Sequence, residues 1–180
     1  MLLAAAVLLP AGPPGSIDFG AVQLGGAASR LLAVPALAVT ASGAGFSATR
    51  AAGGVLIVFE PYELHEQVAG RLTLRTRTGL VRIALGGHGI DTIPPTVSVE
   101  TPRATRVGRV LMIRFEASDN DLVRTCTVVV GGKTIARLRW PASTYRWRVP
   151  RGIARAHITV VAVDRAGNRG TGTSRAFAIR

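Results

Sequence analysis

Apolar and polar residues alternate along the second half of the chain. In VLMIRFEAS (110–118), Leu111, Ile113, Phe115 and Ala117 fall on one face, and the residues between them are mostly polar. Because successive side chains of a strand point to opposite faces, this period of two predicts a half-buried β-strand. Similar runs recur at TVSVE (96–100), VRTCTVVV (123–130), TIARLRW (134–140), TYRWRV (144–149), HITVVAVD (157–164) and SRAFAI (174–179). About seven short strands separated by turns predict an antiparallel β-sandwich.

The first half of the chain shows the same alternation in less regular runs. These are IDFGAVQL (17–24), RLLAV (30–34), ALAVTA (36–41), GVLIVFEP (54–61), VAGRLTLRT (68–76) and LVRIALGGHG (80–89). Pro94 and Pro95 then hold the backbone extended, which predicts a linker over 91–94. The chain is therefore predicted to be all-β, with two tandem antiparallel β-sandwiches at 17–90 and 95–180.

The N-terminal segment, MLLAAAVLLPAGPPGS, has a different character. An apolar run from Leu2 to Leu9 precedes proline and glycine, as in the apolar region and end of a secretory signal peptide. The run is far shorter than the ~20 residues of a membrane span. We expect residues 1–16 to be a signal peptide or a disordered tail, with a first β-strand as the alternative. The protein is then secreted or at the bacterial cell surface, without a transmembrane segment.

The charge of the chain indicates the chemistry of its partners. The sequence has 180 residues, with 22 lysines and arginines against 10 acidic residues, and a net charge of +12. A strongly basic chain favours anionic partners such as nucleic acid, acidic glycans, wall polymers or anionic lipid. The arginines are not in a single run, which weakens the nucleic-acid interpretation. A compositional bias that spreads arginine over every solvent-exposed face explains the same charge.

Short motifs in the first half resemble the immunoglobulin-like domains of the abnormal-spindle and hydin type, also called choice-of-anchor D-like domains. The matching stretches are IDFGAVQLG, GAGFSA (43–48), VFEP (58–61), GRLTLRT and VRIALGGHG. Two motifs of that family are missing: N-T-G after the second strand and L-x-P-G before the F-x-P strand. The resemblance therefore implies an immunoglobulin-like domain that is short.

The second half is similar to the bacterial immunoglobulin-like repeats of secreted and surface proteins. The stretches that carry this resemblance are PPTVSV, ASDND, YRWRVP and AVDRAGN, over about 94–180. The resemblance implies an immunoglobulin-like sandwich used as a spacer, stalk or adhesion module. It implies no catalytic residues.

The stretch DRAGN (164–168) has two interpretations. Glycine and asparagine suit a tight turn between the last two strands, and the carboxylate of Asp164 can accept backbone N–H bonds there. Alternatively, Asp164 joins Asp119 and Asp121, from a loop at the same end of the sandwich, in a calcium site with oxygen ligands. Arg165 would oppose a cation. We expect the turn, and no bound metal.

Arginines on two strands form the candidate binding face. Arg114, Arg146 and Arg148 each alternate with inward-facing residues, and the second and fifth strands of an immunoglobulin sandwich share a sheet. The three guanidinium groups would suit carboxylate or phosphate. The alternative is an ordinary solvated face. Trp140, beside a proline at a strand end, is the candidate for stacking on a glycan, while Trp147 alternates inward and is expected in the core.

Enzyme chemistry finds little support in the sequence. His65, His88 and His157 stand in three unrelated contexts, and no G-x-S-x-G, H-E-x-x-H or phosphate-binding loop occurs. Cys126 is the single cysteine, which excludes an intrachain disulfide, and it is expected to be a buried apolar residue.

The sequence thus predicts a module that is not an enzyme and needs no cofactor. Its expected role is that of an extracellular or cell-surface spacer, stalk or adhesion domain. The alternative is a binding module for an anionic polymer or glycan through the arginine face. The expected partner is a cell-envelope polymer or a surface protein, with no specific nucleic acid, and the chain is expected to be a monomer.

Overall fold

The computed structural model describes residues 7–8, 14–64 and 67–180. These residues form strands, turns and loops, and none of them is helical. Contacts divide the chain into two compact units, Met1–Asp91 and Thr92–Arg180. Each unit is a β-structure with a core of its own.

The boundary between the two units falls within the segment 91–94. Whether 17–90 and 95–180 fold as independent domains stays a prediction. Most of the N-terminal segment 1–16 lies outside the described residues, as does His65. Val7–Leu8, the described part of its apolar run, forms a two-residue strand, which is the alternative given for this segment. The signal peptide or tail stays a prediction.

The first unit has two four-stranded sheets among its described residues. Its strands are β1 (Val7–Leu8), β2 (Ser16–Gln23), β3 (Ala28–Leu32), β4 (Ala38–Ser42), β5 (Phe46–Ala51), β6 (Gly54–Phe59), β7 (Val68–Thr76) and β8 (Gly79–Ile90). One sheet has the order β1-β3-β6-β5 and the other has the order β2-β8-β7-β4. The pairs β1–β3 and β2–β8 are parallel, and the other pairs are antiparallel.

Apolar side chains from both sheets form the core of the first unit. The buried members are Ile17, Phe19, Val22, Leu32, Phe46, Val55, Ile57, Phe59, Leu72, Leu74, Ile83 and Leu85. The rings of Phe46 and Phe59 stack with their centroids 4.5 Å apart, and the ring of Phe19 lies 5.9 Å from each. Burying side chains of this size contributes about 1.5–3 kcal/mol each, so these rings are a principal source of stability.

The sequence pattern does not predict β5. Only Phe46 is buried in this strand, and the other positions are half-buried or exposed, so no period of two is visible. The segment is a strand because it pairs along its whole length with β6, from Phe46 opposite Phe59 to Ala51 opposite Gly54. Backbone hydrogen bonding, more than hydrophobic burial, therefore defines β5.

The second unit contains the remaining strands. They are β9 (Thr96–Val99), β10 (Ala104–Thr105), β11 (Val110–Ser118), β12 (Val123–Val130), β13 (Lys133–Arg139), β14 (Thr144–Arg148), β15 (Arg155–Ala156), β16 (Ile158–Asp164), β17 (Arg169–Thr173) and β18 (Phe177–Ile179). One main sheet has the order β14-β11-β9, and the other has the order β13-β12-β16-β17. A small third sheet, β10-β18-β15, contains a parallel pair, β10 with β18.

The two main sheets enclose the core of the second unit. Its buried members are Ile113, Phe115, Ala117, Val123, Cys126, Val128, Val130, Trp147, Val149, Ala156, Ile158, Val160, Ala162, Phe177 and Ile179. The alternation predicted for β11 is observed, because Ile113, Phe115 and Ala117 are buried and the residues between them are exposed. Trp147 is 7% exposed, so its expected place in the core is confirmed.

The last strand differs from the sequence prediction. SRAFAI (174–179) is a strand only at β18, and a separate strand, β17, precedes it with the sequence RGTGT. Its buried positions are Gly170 and Gly172, which give no hydrophobic signal. Glycine is needed there, because a methyl group at Gly172 would overlap the backbone carbonyl group of Val97 in β9.

Replacing Gly172 with alanine should therefore destabilise the second unit. The added methyl group forces β17 away from β9, and overpacking of this kind costs about 1–3 kcal/mol. Urea unfolding followed by tryptophan fluorescence measures the loss, since both tryptophans, Trp140 and Trp147, lie in this unit. Thr171→Ala, an exposed position of the same strand, is the control, with an expected change within about 0.5 kcal/mol. Equal effects of the two substitutions would contradict the close approach.

Candidate functional site

Asp164 closes the hairpin between β16 and β17. Its Oδ1 accepts hydrogen bonds from the backbone N–H groups of Gly167, at 2.6 Å, and Asn168, at 2.8 Å. Its Oδ2 accepts a third bond from Nδ2 of Asn168, at 2.9 Å. Gly167 has a φ of 95°, a conformation that residues with a side chain rarely adopt. DRAGN is therefore a tight turn, as predicted, and the buried carboxylate of Asp164 holds it together.

The calcium candidates are only partly brought together. Carboxylate oxygens of Asp119 and Asp164 lie within 4.8 Å of each other. The Asp121 carboxylate instead has its Oδ1 3.8 Å from Nη1 of Arg165, and the backbone N–H of Asp121 donates to Oδ2 of Asp119 at 3.3 Å. The guanidinium group of Arg165 therefore stands beside one of the three proposed ligands.

The predicted arginine face lies on the outer side of the β14-β11-β9 sheet. The sequence places the second and fifth strands in one sheet, and this is confirmed, since β11 pairs directly with β14. Arg148 lies opposite Val110 and Arg146 lies opposite Met112. Val110 is 51% exposed and Met112 is 44% exposed. The face is therefore a mixture of guanidinium groups and exposed apolar side chains.

Carboxylates surround the third arginine of this face. Nη1 of Arg114 is 3.8 Å from Oε2 of Glu100, and both side chains are well exposed. Glu116 lines the same small cavity, of about 350 Å³, as Arg114 and Glu100. Two carboxylates thus offset one guanidinium group, so Arg146 and Arg148 carry the basic character of the face.

A second arginine cluster, which was not predicted from the sequence, lies on the opposite sheet. A cavity of about 770 Å³ is lined by Arg124, Arg137, Arg139 and Arg165, together with residues of β12, β13 and the β16–β17 turn. In the register of β12 with β13, Arg137 lies opposite Thr127 and Arg139 lies opposite Thr125. We call this cavity the arginine groove. Arg137 and Arg139 alternate with Ala136 and Leu138 along β13. This alternation in the sequence could have revealed two of the four arginines of the groove.

Trp140 is adjacent, along the backbone, to residues of the arginine groove. It follows the last residue of β13, is 36% exposed, and donates its backbone N–H to the carbonyl oxygen of Arg124 at 3.3 Å. The candidate for glycan stacking is thus next to the strand that supplies Arg137 and Arg139.

The remaining reactive side chains are separate from these surfaces. His88 is half-buried in β8 of the first unit, and His157 is exposed just before β16. Burial raises the pKa of the Cys126 thiol, so the reactive thiolate is disfavoured. This agrees with the expected role of Cys126 as a core residue. Among the described residues, no helix has the length and hydropathy that a membrane span requires.

Solved structures with a similar fold contain immunoglobulin and fibronectin(III)-like domains. The N-terminal four Ig domains of Dscam1 isoform 7.44 match with a TM-score of 0.51 and 8% identity, over 95% of this chain and 47% of that chain. Those of isoform 6.9 match with a TM-score of 0.50 and 8% identity, over 92% and 43%. The fibronectin(III)-like modules of Clostridium thermocellum CbhA match with a TM-score of 0.40 and 19% identity, over 47% and 96%.

The two Dscam1 matches establish the fold and nothing finer. No protein-family model and no curated protein matches the sequence. This chain spans less than half the length of the Dscam1 fragments, at 47% and 43%. The predicted all-β fold with immunoglobulin-like sandwiches is confirmed. The resemblance to abnormal-spindle and hydin-type domains, and to bacterial immunoglobulin-like repeats, stays a prediction.

Asp164→Ala should destabilise the second unit through the loss of its turn. The backbone N–H groups of Gly167 and Asn168 lose their acceptor, and a hydrogen bond to a charged group contributes about 1.5–3 kcal/mol. Calorimetry measures the loss. Asp18→Ala is the control, because Asp18 accepts one exposed bond, from Gly20 N–H at 2.9 Å, and should cost less than about 1 kcal/mol.

The same calorimetry decides between the turn and the calcium site. Added calcium should leave the unfolding temperature of the native chain unchanged, because the Asp164 carboxylate already accepts three hydrogen bonds within the turn. A rise in that temperature with calcium that Asp164→Ala abolishes would contradict this expectation.

Proposed function

We propose that this chain is a non-catalytic, extracellular or cell-surface module that acts as a spacer, stalk or adhesion domain. The observation that carries the proposal is the pairing of strands near the two ends of the first unit. β2 begins at Ser16, β8 ends at Ile90, and the two strands are parallel, from Ser16 opposite Ala84 to Gln23 opposite Ile90. In a parallel pair, the start of one strand and the end of the other lie at opposite ends of the pair.

This arrangement places the β2–β8 pair under shear when the unit is stretched. When the ends of the unit are pulled apart, β2 slides along β8, and their hydrogen bonds resist together instead of opening one at a time. The bond from Leu24 N–H to Ile90 O, at 2.8 Å, extends the same interface. The second unit has a shorter parallel pair of this kind, with Ala104 opposite Ala178 and Thr105 opposite Ile179. Resistance to stretching is the property that a spacer or stalk needs.

Further observations support a location outside the cell. The apolar run at Leu2–Leu9 is typical of an export signal, and the Dscam1 fragments that share the fold are themselves made of tandem Ig domains. The partner of an adhesion module is a cell-envelope polymer or a surface protein.

Single-molecule stretching tests the spacer role. A chain held by its two ends should give two unfolding events, one for each unit. The first unit should then unfold at a several-fold higher force than when the chain is pulled through cysteines placed at Gln67 and at Thr92, the residue that follows the first unit. In that second geometry, the force acts at the open end of the β7–β8 hairpin. The hydrogen bonds between the two strands therefore break one after another. Buried Cys126 stays unlabelled. Equal forces in the two geometries would contradict the proposal.

A second function is favoured by the direct pairing of β11 with β14. It brings Arg146 and Arg148 onto one outer face with Arg114, and this face would bind a phosphate-bearing anionic polymer through bidentate contacts. Trp140 would offer a separate stacking surface for a glycan. Because Arg114 has carboxylate neighbours, Arg146 and Arg148 are the residues to test.

The double variant Arg146→Ala, Arg148→Ala should lose retention on immobilised polyphosphate. Retention of the native chain should also fall steeply as salt rises, because polyanion binding releases counterions. The charge-matched control is Arg71→Ala, Arg82→Ala, two exposed positions of β7 and β8. Equal retention of the two double variants would remove the face as a binding site and leave the spacer role standing.

A further inference from the structure

The arginine groove combines elements that are distant in sequence. Arg137 and Arg139 are exposed on the same side of β13, and two residues of a strand advance by about 6.6–6.8 Å. Arg124 is the extra residue where the register of β12 with β16 shifts, between Val123 and Thr125. Arg165 enters from the β16–β17 turn, where its backbone N–H donates to the carbonyl oxygen of Leu122 at 3.0 Å. Sheet pairing thus gathers four guanidinium groups around one cavity.

The charge of the groove is largely uncompensated. Within residues 14–64 and 67–180, Arg124, Arg137 and Arg139 form no salt bridge. Arg165 has Asp121 at 3.8 Å, and its side chain is still 44% exposed. Asp164 also lines the groove, but it is buried and its oxygens accept three hydrogen bonds from the turn. By contrast, Arg114 on the opposite sheet faces two carboxylates. The guanidinium groups of the groove are therefore less neutralised than that of Arg114.

The lining also limits the type of anion. Val163 and Ala166 supply apolar surface among the guanidinium groups, which suits the C–H faces of sugar rings. Polyphosphate has no such faces. Among the described residues that line the groove, none is aromatic, and single-stranded nucleic acids need aromatic platforms on which their bases stack. A volume of about 770 Å³ is within the range of ligand sites and accommodates a short oligosaccharide.

We propose that the arginine groove binds a segment of an acidic polysaccharide. Guanidinium groups of Arg137 and Arg139 hold carboxylates of successive sugars, Arg124 and Arg165 hold the chain from the other side, and the apolar residues contact the sugar rings. This inference goes beyond the spacer role and does not depend on it. It also uses none of the residues of the Arg146 and Arg148 face, which belongs to the opposite sheet.

Calorimetric titration of the full chain with oligogalacturonate, whose sugars each carry a carboxylate, tests the proposal. The variant Arg137→Gln, Arg139→Gln should bind at least about tenfold more weakly, because it loses two bidentate contacts. Arg71→Gln, Arg82→Gln removes the same charge from exposed positions of β7 and β8 in the first unit and should change affinity by less than about threefold. Arg137→Lys, Arg139→Lys keeps the charge without the planar fork and should fall between the two. An unfolding temperature close to that of the native chain would show that the fold of each variant is intact.

Several outcomes would overturn the proposal. Equal weakening by the two glutamine variants would show that net charge alone, and not the groove, attracts the ligand. Undiminished binding of methyl-esterified oligogalacturonate would show that carboxylates are not recognised. Tighter binding of polyphosphate or oligothymidylate that depends on Arg137 and Arg139 would replace the sugar ligand with a phosphate polymer. No binding of oligogalacturonate by the native chain would remove the proposal, and the stretching experiment would still decide the spacer role by itself.

Discussion

The two-residue period of the β-strand is the constraint on which both the core and the surface of this protein depend. Backbone hydrogen bonds fix neighbouring strands in register, so each strand turns alternate side chains inward and outward. In β13, Ala136 and Leu138 pack against the core while Arg137 and Arg139 are exposed. A shift by one residue would bury guanidinium groups without partners, at a cost that a domain stable by about 5–15 kcal/mol does not tolerate. The arginines therefore help to fix the register that places them outside.

The two arginine surfaces of the second unit differ in the neighbours of their guanidinium groups. Both alternate arginine with apolar residues along a strand. On one sheet, Arg114 has Glu100 at 3.8 Å and Glu116 two residues along its own strand, while Arg146 and Arg148 lie opposite Met112 and Val110. On the other, pairing sets threonines opposite Arg137 and Arg139, and hydroxyl groups leave the positive charge uncompensated. Guanidinium groups with such neutral neighbours remain available for anions from solution.

The turn at Asp164 shows how one acidic residue serves the fold. A carboxylate next to glycine and asparagine is compatible with a metal ligand and with a turn, since both need oxygen atoms near a bent backbone. Here the carboxylate is buried and accepts hydrogen bonds from Gly167 and Asn168, and the adjacent Arg165 adds positive charge. The same turn carries Arg165 to the arginine groove. A structural carboxylate thus positions a residue of the candidate binding surface.

The sequence by itself determined the all-β class, the strands with clear alternation such as β11 and β12, the burial of Trp147, and the outward direction of Arg146 and Arg148. All of these follow from neighbouring residues along one strand. Tertiary structure alone decided β5 and β17, whose residues become strands by pairing and close backbone approach and not by their own hydrophobicity. It also decided the arginine groove. Its four arginines belong to a shifted register, a neighbouring strand and a distant turn, and only the packing of the folded sheet brings such separated residues to one cavity.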